Sequence, residues 1–151
     1  MCGLVGYTGK QARRREILQK MMERIIHRGP DSSGEFIGDE VAFGFRRLSI
    51  IDLEGGSQPI YNEDGSIVTV FNGEIYNFQT LRAELEEKGH VFTTNTDTEV
   101  LVHGWEEYGE GLAERLRGMF AFLIYDKNRN VIYGARDYFG IKPLYYYRTR
   151  E

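Results

Sequence analysis

The apolar residues of this chain come in short β-branched and aromatic stretches bounded by glycines, and the longest unbroken run is the seven residues from Met119 to Tyr125. A membrane-crossing helix needs about 20 consecutive apolar residues, so none is encoded. Stretches of this length read as strands instead. Cys2 to Thr8, Val41 to Ile51, Ile67 to Ile75, Met119 to Tyr125, Val131 to Arg136 and Leu144 to Tyr147 all fit that description.

Helical periodicity separates them. From Gln11 to Arg28 the apolar pairs Ile17-Leu18, Met21-Met22 and Ile25-Ile26 recur four residues apart, a one-sided stripe. Pro30 disfavours helical geometry at Gly29, so the run from His27 to Gly34 is expected to break that helix and form a loop. Leu81 and Leu85 mark a second helix ending at Gly89. Thr96 and Glu99 have the spacing of a capping box, which predicts a third helix through Val100, Leu101, His103 and Trp105, resumed from Leu112 to Leu116. The order of elements favours antiparallel pairing and an α+β layered fold, with residues 1–151 as one domain.

The 151 residues are 41% hydrophobic and 28% charged, an ordinary soluble composition, with 18 glycines that imply many tight turns. Nineteen Lys+Arg against 23 Asp+Glu leave a net charge of −4, which argues against nucleic acid or an anionic membrane as the main partner. No basic-then-apolar leader opens the chain, so a cytoplasmic location is expected. A single cysteine precludes an intrachain disulfide and a cysteine-cluster metal site. His27, His90 and His103 lack metal-ligand spacing and read as loop, cap or helix-face residues, so no metal is expected. Gly3 to Lys10 resembles a phosphate loop, but its spacing is one residue too long and Gln11 stands where Ser or Thr is required.

Cys2 carries the chemistry. A lone cysteine is more often a small buried hydrophobe than a nucleophile, yet this one directly follows the initiator Met1. With Met1 removed, one residue holds both a thiol and a free α-amine, and such an amine titrates where a general base should. Acyl transfer at Cys2 also needs fixed donors for the developing oxyanion. Asn72 and Gly73 offer a side-chain amide and an unobstructed N–H, although an isolated Asn-Gly reads first as a hairpin turn. Arg47 is either a solvated strand residue or a planar fork for a substrate carboxylate, and Glu74 or Asp97 would suit a substrate ammonium. Those charges match a free amino acid.

Met1-Cys2-Gly3, His27 to Asp31, Arg47 to Asp52, Phe71 to Asn77, Thr96 to Val100, Gly118 to Phe122, Arg136-Asp137 and Gly140 to Tyr145 together resemble the glutaminase domain of glutamine-hydrolysing asparagine synthetases. The resemblance implies a class II glutamine amidotransferase of the N-terminal nucleophile hydrolase fold, a four-layer αββα sandwich of two antiparallel sheets between helical layers. It implies Cys2 as nucleophile, Asn72 and Gly73 as oxyanion hole, Arg47 on the glutamine carboxylate, Glu74 and Asp97 at its amino end, and backbone contacts from Leu48 and Ile51. L-Glutamine is the implied substrate, hydrolysed to glutamate and ammonia. His27 to Asp31, Gly118 to Phe122 and Arg136-Asp137 would be structural or domain-interface elements. Phe45 departs from the family, many of whose members carry histidine there. The family's synthetase domain, which takes ATP, magnesium and aspartate, is expected as a C-terminal partner; its Ser-Gly-Gly-x-Asp-Ser loop is absent from these residues, and no cofactor is expected in this domain. Another class II amidotransferase, or a non-catalytic glutamine-binding domain, is the alternative.

Overall fold

A computed structural model describes residues 2–48 and 57–149. In chain order it contains β1 (Gly3–Thr8), α1 (Arg14–Arg24), β2 (Ser32–Ile37), β3 (Val41–Arg47), β4 (Ile60–Tyr61), β5 (Ile67–Ile75), α2 (Phe78–Glu87), α3 (Val100–Tyr108), α4 (Leu112–Arg115), β6 (Gly118–Asp126) and β7 (Val131–Arg136). The strands form two antiparallel sheets, β1-β3-β2 and β4-β5-β6-β7.

The alternation of side chains along each strand sorts the apolar residues into three layers of core. On β3, Ala42 faces outward to meet Leu18 and Met22 of α1. Val41, Phe43 and Phe45 face inward and meet Val68, Val70 and Tyr125 of the other sheet. The opposite face of β5 and β6, with Ile67, Phe71, Ile75, Phe120, Phe122 and Ile124, packs on Leu81 and Leu85 of α2 and on Val100, Leu101 and Trp105 of α3. The result is the expected α+β sandwich: helix, sheet, sheet, helices. Fully buried Leu18, Leu85 and Leu101 each contribute roughly 1.5–3 kcal/mol of burial. Trp105 satisfies its indole N–H on the Asp126 carboxylate at 3.0 Å, so this large side chain seats without an orphaned donor.

Several boundaries differ from the sequence reading. The first helix spans only Arg14–Arg24, followed by a 3₁₀ turn at Ile26–Arg28. Ser32 to Gly34, read as the end of a loop, instead opens the strand Ser32–Ile37, because pairing with β3 outweighs its polar, glycine-containing sequence. Helix α2 does end at Gly89, whose φ of +100° starts a Schellman motif: Gly89 donates to the Glu86 carbonyl and His90 to that of Leu85. The capping box does not form. Thr96 makes no cap bond, and the Glu99 carboxylate takes the backbone N–H groups of Thr93 and Thr94, both at 2.7 Å, ahead of a 3₁₀ turn at Asp97–Glu99. Leu144 to Tyr147 is not a strand; β7 is the last strand of its sheet, and Tyr145, Tyr146 and Tyr147 stand in solvent. The expected strand end beyond Leu48, including Ile51, lies outside the described residues, as does Met1.

Candidate active site

The layer between the sheets is apolar along most of its length and turns polar at one end. The inward row on β1 runs Gly6, Leu4 and then Cys2; on β3 it runs Val41, Phe43, Phe45 and then Arg47; on β5 it runs Val68, Val70, Asn72 and Glu74. Leu4 pairs with Phe45 and Gly3 with Arg46, a register that brings Cys2 level with Arg47. The polar end of the layer therefore carries a thiol from β1, a guanidinium from β3, and an amide followed by a carboxylate from β5. Phe45 is buried in that layer, one row step from Arg47.

Cys2 is a free thiol, half-buried against the inter-sheet core. Its Sγ lies 3.9 Å from the Leu48 carbonyl oxygen, and its own carbonyl accepts a hydrogen bond from Arg28 Nε at 3.2 Å. Arg28 belongs to the segment His27 to Asp31, which is fastened to β3: Arg46 Nε donates to the Gly29 carbonyl at 2.9 Å, and the Asp31 N–H donates to the Arg47 carbonyl at 3.0 Å. This segment holds Cys2 in place.

Asn72-Gly73 is not a hairpin turn; it lies inside β5, paired with Ala121 and Phe120 of β6. Asn72 is 6% exposed, and among the described residues its side-chain amide has no hydrogen-bond partner. The backbone of β5 alternates too. Phe71 turns its N–H and C=O away from β6, onto the Gln58 side-chain amide at 2.6 and 3.1 Å, and Ile75 gives its N–H to Asp97 Oδ2 at 2.8 Å. Gly73, between them, faces its N–H out of the same edge. Its φ is +154°, and a Cβ there would stand 2.1 Å from the Met119 carbonyl oxygen, so only glycine fits. Gly118, across the ladder, is equally confined, with the Glu74 carbonyl oxygen 2.0 Å from where its Cβ would be.

Asp97 and Glu74 bring two carboxylates to the end of this edge. Burial pushes the Asp97 carboxyl up, the Ile75 N–H pulls it back, and the Glu74 charge adds to the rise, leaving it above the ordinary aspartate range. A cation is what such a pair favours. Below the site, Asp137 ties β6 to the C-terminal segment by accepting from the backbone N–H groups of Phe120, Ile141 and Lys142 at 3.1, 2.8 and 2.9 Å.

The structure thus brings Cys2, Leu48, Arg47, Asn72 and Gly73 to one end of the inter-sheet layer, with Glu74 and Asp97 on the adjoining strand edge; Ile51 lies outside the described residues. Gln58 was not singled out from sequence, and Arg28 was read only within the structural signature His27 to Asp31, with no contact to Cys2 assigned. Both act by bonding backbone groups far away in the chain, and no local pattern signals that.

Comparison with solved structures places this two-sheet sandwich among amidotransferase folds. A chain described as the allosteric regulatory enzyme of purine biosynthesis superposes with a TM-score of 0.68 at 21% identity, covering 84% of this chain and 36% of that one. Glutamine phosphoribosylpyrophosphate amidotransferase from B. subtilis gives 0.61 at 18% identity, covering 84% and 35%. At family level, residues 1–151 match the glutamine amidotransferase domain, and the chain belongs to that family. It is 56% identical to asparagine synthetase [glutamine-hydrolyzing] 1 of Bacillus subtilis, over 97% of this chain and 24% of that protein. It is 44% identical to the asparagine synthetase of Asparagus officinalis, over 96% and 25%. The chain therefore spans about a quarter of the length of the curated relatives it matches.

Proposed function

We propose that this chain is the glutaminase unit of an asparagine synthetase, hydrolysing the side-chain amide of L-glutamine through a Cys2 thioester. The observation that carries the reading is the polar end of the inter-sheet layer, where the inward rows of β1, β3 and β5 bring Cys2, Arg47 and Asn72 together. In this reading Arg47 holds the α-carboxylate of glutamine, and Glu74 with Asp97 holds its ammonium. The Cys2 sulfur attacks the amide carbon, and the oxyanion is met by the Asn72 amide and the Gly73 N–H, donors already fixed in a strand. The amine of Cys2, once Met1 is gone, takes the thiol proton and passes it to the departing nitrogen, which leaves as ammonia. Water then adds to the thioester and the C–S bond breaks, giving glutamate and the free thiol. These steps run on the chain's own groups, with no organic cofactor.

The relatives are about four times longer, and in this reading the released ammonia goes to a second active site in a C-terminal synthetase domain, which the family resemblance endows with ATP, magnesium and aspartate. The exposed aromatic run Tyr138, Phe139, Tyr145, Tyr146 and Tyr147 supports docking of a C-terminal synthetase domain on this side. No described helix is long and apolar enough to cross a membrane. A cytoplasmic location is part of the proposed reading. Glutamate release from glutamine, lost in Cys2→Ala, is the expected result; release that persists in Cys2→Ala overturns the reading.

A further inference from the structure

His90 and His103, which sequence spacing left as unrelated residues, lie with ring centroids 5.0 Å apart on the helical side of the fold, where Glu63 and Glu106 close over them. The Schellman ending of α2 presents His90; α3 presents His103 and Glu106 one turn apart on one face; the turn after β4 presents Glu63. His103 is 1% exposed, and its Nδ1 has no hydrogen-bond partner. That nitrogen stands 3.2 Å from Glu63 Oε2 without hydrogen-bond geometry, and 3.7 Å from Glu106 Oε2, beyond hydrogen-bond reach. Both carboxylates border it. An unpaired buried imidazole nitrogen is costly unless something occupies that space.

We propose that Glu63, His90, His103 and Glu106 form a tetrahedral site for one divalent ion of the zinc class. Ligands about 2.0–2.1 Å from zinc at tetrahedral angles stand about 3.4 Å from one another. His90 Nδ1 and His103 Nδ1 lie 3.6 and 3.7 Å from the same Glu106 oxygen, Oε2, and each also lies near Glu63, His90 3.4 Å from Oε1 and His103 3.2 Å from Oε2, so a small turn of the Glu63 carboxylate presents one oxygen to both. All four ligand atoms lie within 4.8 Å of one another. Each imidazole turns its other nitrogen to a second carboxylate, His90 Nε2 to Glu107 at 3.1 Å and His103 Nε2 to Glu99 at 3.5 Å. That pairing fixes Nδ1 as the coordinating atom and raises its basicity. Electrostatics agree. Glu63, Glu99, Glu106 and Glu107 surround the two rings, and among the described residues Lys88, 2.9 Å from Glu107, is the one lysine or arginine paired with any of them. Glu63 and Glu106 remain partly exposed, which leaves a way in for the ion.

Such an ion would clamp the turn after β4, the end of α2 and the middle of α3. Through Glu99 it would also brace the short turn that carries Asp97. The test is titration of the chelator-stripped full chain with zinc, and then with cobalt as a coloured substitute. The expected result is one equivalent bound, a higher melting temperature, and intense visible cobalt bands of tetrahedral type without the near-ultraviolet band of a thiolate ligand. His90→Ala and Glu63→Gln, both outside the buried core, should lose that binding, and Glu107→Gln should weaken it roughly 10- to 100-fold. Cys2→Ala should leave it unchanged. Absence of binding, binding undiminished in His90→Ala and Glu63→Gln, or a thiolate band that disappears in Cys2→Ala would each overturn the site.

Discussion

The Ile75 N–H is bound by Asp97 Oδ2 at 2.8 Å, a contact that ties the strand of the candidate oxyanion donors to the turn that opens α3. Asp97 keeps that bond under burial and beside the Glu74 charge, which together raise its carboxyl above the usual range. The folded chain therefore takes up a proton at Asp97 before the unfolded chain does. Between the ordinary aspartate value and the raised one, the fold gains stability as pH falls and loses it as pH rises; at neutral pH the charge is a net cost. Asp97→Asn retains a carbonyl oxygen for Ile75, so its melting temperature at pH 7 should be equal or higher, while the KM for glutamine rises at least tenfold. A lower melting temperature with unchanged KM contradicts the assignment.

Asp137 behaves in the opposite sense. Burial acts to raise its carboxyl, but the N–H donors of Lys142, Ile141 and Phe120 outweigh it and the net shift is downward. Its contribution is present above the ordinary aspartate value and is lost as pH falls through the depressed one. Asp137→Ala leaves three N–H groups without their acceptor and should cost on the order of 3 kcal/mol in urea unfolding at pH 7. The difference from the parent chain should shrink under strongly acidic conditions.

Gly73→Ala places a methyl group against the Met119 carbonyl and should destabilise the fold by more than about 2 kcal/mol, with glutaminase activity abolished. Gly111→Ala is the matched control. Nothing lies within 4 Å of its added methyl, and its φ of −68° suits any residue, so thermal unfolding should hardly change.

Arg47→Ala should leave the melting temperature near that of the parent and raise the glutamine KM strongly, with Arg47→Lys recovering only part of the loss, because a point charge replaces a planar fork. Steady-state kinetics on the two variants decide the role. Near-unchanged kinetics in Arg47→Ala remove the carboxylate clamp.

Much of this arrangement was legible in the sequence because strands alternate. The inward rows of β1, β3 and β5 can be written out from period two, and the residues that break each row, Cys2, Arg47 and Asn72, are the ones the chemistry singles out. Pairing between strands was less legible. Ser32–Ile37 has weak strand character of its own and acquires it from β3, whereas Leu144 to Tyr147 has strong character and no neighbour to pair with. Contacts made by side chains to distant backbone, such as Gln58 on Phe71 and Arg28 on Cys2, have no local signature. The His90 and His103 pairing was hidden for the same reason, since its four residues come from three separate segments.

The account is tested most directly by the mass of the chain after exposure to a glutamine-analogue electrophile. It predicts a single adduct, mapped to Cys2, on chains that have lost Met1, and none on Cys2→Ala. An unmodified Cys2 in chains lacking Met1, or an equal adduct on Cys2→Ala, would contradict it.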